Sequence, residues 1–131
     1  TTLTKLQEYF QDNLTFSETD AVSYTTQYSV PSASGFNVAI DDYSANDDVS
    51  NSVHLILTPT AGYAEGTITL PLNSGVIDKQ EVMVNCTQQI TTLTVDGNGA
   101  TSVTGEPASM GADDFFRLKY DLLSKTWYRV G

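Results

Sequence analysis

The chain has 131 residues, 40% of them hydrophobic, so it is long enough for one domain with a single core and too apolar for a disordered tail. Its formal net charge of -10 at pH 7 repels phosphate backbones and argues against nucleic-acid binding. It has no run of about 18 apolar residues and no basic-then-apolar start, so we expect no membrane contact and no secretory leader.

The first segment, residues 1–15, is predicted to be a short helix or an N-terminal arm. Leu3, Leu6, Phe10 and Leu14 recur at helical spacing. A helix of little more than three turns is marginal alone and needs a surface to pack on. It could lie on its own domain, or it could dock on a neighbouring protein through Leu3, Leu6 and Phe10.

From residue 16 onward the hydrophobic period changes to two, which is typical of half-buried strands. In the first of these, the residues on one face are Val22, Tyr24, Thr26, Tyr28 and Val30. The further candidate strands are GFNVAI, VHLILT, TITLPL, KQEVMVNC, TTLTVD, ATSVTG, DFFRLKY and KTWYRV. Eight or nine short strands at regular spacing predict one all-β domain over residues 16–131, an antiparallel β-sandwich, a jelly roll or a small barrel.

The search for catalytic and metal-binding chemistry gives no defensible site. His54 alternates with Val53 and Leu55, which indicates an outward side chain on a strand. Cys86, the only cysteine, excludes an intrachain disulfide and lies on the apolar face of its strand. The acidic stretch 41–51 could offer oxygen ligands to Ca²⁺, but it lacks the EF-hand spacing, so a solvated loop is favoured. We therefore expect no enzymatic activity, no cofactor and no resident metal.

The basic residues concentrate in the last predicted hairpin. Four of the six in the chain are Arg117, Lys119, Lys125 and Arg129. An odd number of loop residues would place all four and Trp127 on one face, whereas an even number would place Trp127 beside Leu118 in the core. Arginine with tryptophan is typical of contact surfaces, and the alternative is a strand edge guarded by solvated cations. If this hairpin carries the main contact, reversing Arg117 and Arg129 to glutamate should abolish assembly with little effect on the melting temperature.

The second half of the chain, residues 66–131, carries a recognisable order of segments. These are GTITLPLNSG, QEVMVNCT, TTLTVDGNGATSVTGEPASM and FFRLKYDLLSKTWYRVG. This order resembles a module of tailed-phage structural proteins, which has a strand ending in TLP, a Gly-rich segment and a closing aromatic-basic strand. The matching positions are Leu70, Pro71, Asn85, Gly97, Gly99, Gly105, Pro107, Phe116, Arg117, Tyr120, Trp127, Tyr128 and Gly131.

The resemblance implies a virion protein. Such modules occur in head decoration proteins, tail fibres and collar proteins, and a short β chain without a stalk is closest to a capsid decoration (cement) protein. By the same resemblance, copies would form homotrimers on the capsid exterior and bridge subunits of the major capsid protein. A tail-fibre module that binds a receptor or glycan is the alternative that the resemblance leaves open.

Overall fold

The structure is a computed structural model, and it describes residues 23–131. The strands in this part of the chain are β1 (Thr25–Ser29), β2 (Phe36–Ala39), β3 (Val53–Leu57), β4 (Tyr63–Thr69), β5 (Glu81–Cys86), β6 (Ile90–Asp96), β7 (Ser102–Thr104), β8 (Asp114–Asp121) and β9 (Thr126–Arg129). A single 3₁₀ turn, Asn73–Gly75, follows β4. The helix or arm predicted over residues 1–15, with Leu3, Leu6 and Phe10, lies outside the described residues.

The first six strands alternate between two parallel sheets. β1, β3 and β5 lie side by side in one sheet, and β2, β4 and β6 lie side by side in the other. The pairing places Thr25 beside Val53, and Val53 beside Val82. Each passage through both sheets therefore takes roughly 28 residues, and three such coils stack as a short β-solenoid.

The all-β prediction is confirmed, but the predicted antiparallel sandwich, jelly roll or barrel does not match the topology. Alternation reveals which residues face the core, yet its period is two in both parallel and antiparallel strands. It therefore says nothing about the direction of the neighbouring strand. The repeat is also hard to recognise in the sequence, because the coils share few features besides their inward apolar positions. Val38, Ile68 and Val95 are one such set.

The last three strands cover the C-terminal end of the stack. β8 pairs antiparallel with β5, β9 pairs antiparallel with β8, and β7 lies parallel to β9 at the edge of the six-stranded sheet. On the three-stranded sheet, Met110 exchanges backbone hydrogen bonds of 2.8 and 2.9 Å with Ile90. These contacts occupy backbone groups that the edges of β5 and β6 would otherwise leave open.

The core lies between the two sheets. Side chains that are at most 1% exposed include Val53, Leu55, Leu57, Ile68, Leu70, Val82, Val84, Cys86, Ile90, Phe116, Leu118, Tyr120 and Trp127. Burying a large apolar side chain fully is worth about 1.5–3 kcal/mol, so these residues supply most of the driving force for folding.

The first described coil carries polar side chains inward on β1, whereas Val38 on β2 is buried in the core. The inward positions of β1 are Thr25, Gln27 and Ser29, which lie beside Val53, Leu55 and Leu57 of the second coil. The Gln27 side chain donates to the carbonyl of Ala39 and accepts from the backbone N–H of Asp41, both at 2.8 Å. Hydrogen bonds thus satisfy the inward polar groups of Gln27 in β1.

Candidate functional site

The candidate functional site is the outer face of the six-stranded sheet. Two rows of side chains cross β1, β3, β5 and β8 on this face. The aromatic row contains Tyr28, Ile56, Asn85 and Phe115. The basic row contains Thr26, His54, Met83 and Arg117. Because neighbouring strands lie about 4.8 Å apart, each row spans about 14 Å.

The aromatic row exposes large apolar side chains to solvent. Tyr28 is 74% exposed and Phe115 is 55% exposed, while Ile56 between them is half-buried. Val30, at 62%, lies just beyond the end of β1, next to Tyr28 in outward alternation. Asn85 lies between Ile56 and Phe115, so the row combines exposed apolar and polar side chains, as binding faces commonly do.

Tyr28 reaches this face because β1 presents its more apolar side outward. The sequence predicted that Tyr24, Thr26, Tyr28 and Val30 share one face, and the structure turns that face away from the core. The inward side of β1 carries only Thr25, Gln27 and Ser29, so composition alone would have favoured the opposite orientation. The pairing of Gln27 with Leu55 and of Tyr28 with Ile56 fixes the orientation.

A buried carboxylate anchors the basic row. Glu81 is only 4% exposed, although its strand position is outward, because Tyr24 and Arg117 cover it. The Tyr24 hydroxyl donates to Glu81 Oε1 at 3.1 Å, and Arg117 Nε lies 3.3 Å from the same oxygen. The Nε–H finds no aligned hydrogen-bond acceptor, so its attraction to Glu81 is Coulombic. Burial, reinforced by the charge of Glu81, raises the pKa of Tyr24 above its ordinary value.

This ion pair changes what a charge reversal would test. An Arg117→Glu substitution would bring a second carboxylate to the buried Glu81, and an unpaired buried charge destabilises a fold. Reversing Arg117 together with Arg129 would therefore not separate loss of assembly from loss of stability.

His54 belongs to the same face and pairs with a neighbouring amide. Its Nε2 lies 2.7 Å from Asn85 Oδ1, and the Tyr24 ring meets the imidazole edge-on at 6.4 Å between centroids. The pair fixes two polar side chains in the surface of the sheet.

The four predicted cations separate in the structure. Arg117 and Lys119 lie on the outer face, where Lys119 is exposed and pairs with Tyr128. Lys125 lies in the turn between β8 and β9. Arg129 pairs with Leu118, so it points to the other side of the sheet, and its Nε donates to the Gly131 carbonyl at 3.1 Å.

Trp127 belongs to the core and is removed from the predicted contact surface. Four residues, 122–125, separate β8 from β9, which is the even loop length that places Trp127 inward. The residue pairs with Tyr120, its side chain is 0% exposed, and the two rings lie 5.2 Å apart between centroids.

Metal and nucleophile chemistry finds little support in residues 23–131. No group of three or more His, Cys, Asp or Glu side chains in this range could hold a metal ion. In the acidic stretch 41–51, Asp42 Oδ1 accepts from the Ser44 N–H at 2.8 Å, and hydrogen bonds from Ser44 lower the pKa of Asp42. Burial raises the pKa of the Cys86 thiol, which disfavours the reactive thiolate.

Comparisons with known proteins do not indicate a function, so the function is inferred from the geometry of the outer face. No family model matches the chain, and searches of curated proteins and solved structures gave no significant match. Along the described stretch from residue 23, no helix has the length and apolarity to cross a membrane.

Proposed function

We propose that this chain is a non-enzymatic structural protein of a tailed-phage virion, a decoration protein that binds the major capsid protein on the exterior of the shell. The observation that carries this proposal is the outer face of the six-stranded sheet, with exposed Tyr28 and Phe115 beside Arg117 and Lys119. Exposed apolar and aromatic side chains favour burial against a partner, and cations on a chain of net charge -10 give that face a distinct electrostatic character.

The C-terminal side of the coil stack supports a protein that lies flat on a shell. There the antiparallel strands β8 and β9 extend the six-stranded sheet beyond β5 and interrupt the parallel stacking. The described coils therefore offer a broad sheet face in little height, which suits a protein that lies on a shell. As a homotrimer, it would add weak contacts through avidity, and it would stabilise the shell by binding the assembled form in preference to free subunits.

A receptor- or glycan-binding module of a tail fibre is the second candidate. The exposed rings of Tyr28 and Phe115 lie in one row with the amide of Asn85. Aromatic faces with adjacent amide groups also suit sugar rings, which combine apolar and hydroxyl surfaces. The same face would then serve a different partner.

The test is co-sedimentation with capsids that lack this protein, at low and raised salt. Saturable binding at a fixed ratio to the capsid subunit is expected for the wild type. The double substitution Tyr28→Ser with Phe115→Ser should weaken binding roughly tenfold or more, since aromatic contacts often dominate interfaces. Val49→Ser, an exposed apolar position outside the two rows, is the matched control and should bind as the wild type does.

Absence of wild-type binding to intact shells would overturn the decoration proposal. Binding of the isolated protein to host surface polysaccharide, lost in the same double variant, would then support the fibre alternative.

A further inference from the structure

The turn between β8 and β9 presents two leucines to solvent. Leu123 is 96% exposed and Leu122 is 49% exposed. Tight turns usually carry Gly, Asn, Asp or Ser, because those residues suit the backbone and remain hydrated. Leu123 is too exposed to contribute much to the core, so the fold does not explain an apolar side chain there. We call this feature the dileucine turn.

Hydrogen bonds hold the dileucine turn in place. Asp121 Oδ2 accepts from the backbone N–H of Ser124 at 3.2 Å and from its hydroxyl at 2.6 Å. The Leu122 N–H donates to Asp78 Oδ1 at 3.0 Å, and the Lys125 carbonyl accepts from Thr101 at 2.8 Å. A turn that is already ordered loses little conformational entropy when its apolar side chains bind a partner.

A cleft of about 310 Å³ lies next to the dileucine turn. Tyr128 and Val130, which are 42% and 44% exposed, form its apolar wall. Ile77, which is 55% exposed, directly precedes Asp78 and Lys79 in the chain, and those two residues line the cleft. The molecule therefore carries an apolar projection and an apolar recess side by side.

The charges in the cleft balance. Lys79 and Lys119 line it together with Asp78 and Asp121. On a chain of net charge -10, a second copy is repelled from most of the surface, but this region is neutral. Two such regions are also complementary to each other, because a lysine of one copy can face an aspartate of the next.

We infer that the dileucine turn docks into the cleft of a second copy of this chain. The number of copies, three, rests on the proposed function, in which the decoration protein is a homotrimer. Turn-to-cleft contacts that run in one direction close a ring of three when the rotation between copies fits. The contact uses Leu122, Leu123 and the cleft around Lys119, so it shares Lys119 with the proposed capsid-binding face. The variants that test capsid binding change Tyr28 and Phe115, which do not line the cleft.

Sedimentation velocity of the purified chain over a wide range of concentration tests this contact. The wild type and the Tyr28→Ser, Phe115→Ser variant should both form oligomers. Leu122→Ser with Leu123→Ser should remain monomeric at concentrations where the wild type associates, with an unchanged circular dichroism spectrum. Leu123→Ser alone, at a position with almost no buried area, should shift association in the same direction if the double variant is destabilised.

A wild type that stays monomeric at every concentration, or a folded dileucine variant that associates like the wild type, would overturn the inference. Capsid co-sedimentation separates this failure from failure of the proposed function. A monomeric chain that still saturates shells removes the turn-to-cleft contact alone, whereas an oligomer that ignores shells removes the capsid partner alone.

Discussion

The ring of Phe36 in the first coil lies directly against the α-carbon of Gly66 in the second coil. A β-carbon on Gly66 would overlap the ring atoms, so a larger residue here would force the Phe36 ring to move. We expect Gly66→Ala to lower the free energy of unfolding by about 1–3 kcal/mol, measured by urea denaturation.

Gly62→Ala is the matched control for this substitution. Its β-carbon would meet the Gln89 carbonyl oxygen at 3.4 Å and the Gln89 Cβ at 3.9 Å, which are ordinary contacts, so stability should change little. The double variant Phe36→Ala, Gly66→Ala should be destabilised by less than the sum of the two single variants, because the two residues share one contact. Equal denaturation midpoints for Gly66→Ala and wild type would contradict the assignment.

Because of Tyr24, the free energy of unfolding should vary with pH in the alkaline range. Its pKa is raised from 10.0 by burial and then by the charge of Glu81, so the folded state holds the phenolic proton more tightly than the unfolded state. Its stabilising contribution is complete below pH 10 and is lost as the pH rises through the folded-state pKa.

The Tyr24→Phe variant isolates this effect. At pH 7 it should lose about 0.5–1.5 kcal/mol with the hydrogen bond to Glu81. Above pH 10 the gap between wild type and variant should narrow, because phenylalanine has no proton to release. Urea denaturation at both pH values measures the gap, and a gap that stays constant would refute the link.

Trp127, the only tryptophan in the chain, reports directly on the packing of the last hairpin. Its side chain is fully buried, so native fluorescence should be blue-shifted and resistant to acrylamide, and unfolding should reverse both properties. Solvent-like emission from the folded protein would instead place Trp127 on the surface.

Substitution at Trp127 tests the same packing through stability. Its Nε1 has no hydrogen-bond partner among residues 23–131, so Trp127→Phe sacrifices no such bond. We expect Trp127→Phe to cost clearly less than Trp127→Ala, for which about 3–5 kcal/mol is typical. Thermal denaturation of the two variants gives the comparison.

Alternation in the sequence predicted the strands and most of their inward residues, because the period of two is a local property that residues such as Leu55 and Val84 display directly. It did not predict the parallel stacking, since strand direction depends on partners about 28 residues away. The inward packing of Trp127 depended on where the hairpin turn closes, and the Asp121–Ser124 hydrogen bonds fix that point.

The sequence predicted only part of the candidate site, again because it does not show which distant strands become neighbours. Arg117 and Lys119 were predicted because they share one strand. Tyr28, Ile56 and Phe115 were missed because they belong to three strands that are far apart in the chain and that only the stacking of coils brings into one row.

The strands that cover β5 also limit how such a protein can change in size. Because β8 pairs along the edge of β5, a new coil could be accommodated only before β5. Each inserted unit of roughly 28 residues would lengthen both rows of the outer face by one strand spacing, about 4.8 Å. The width of the binding surface would therefore vary in fixed steps, set by the number of coils, while β8 and β9 stayed the same.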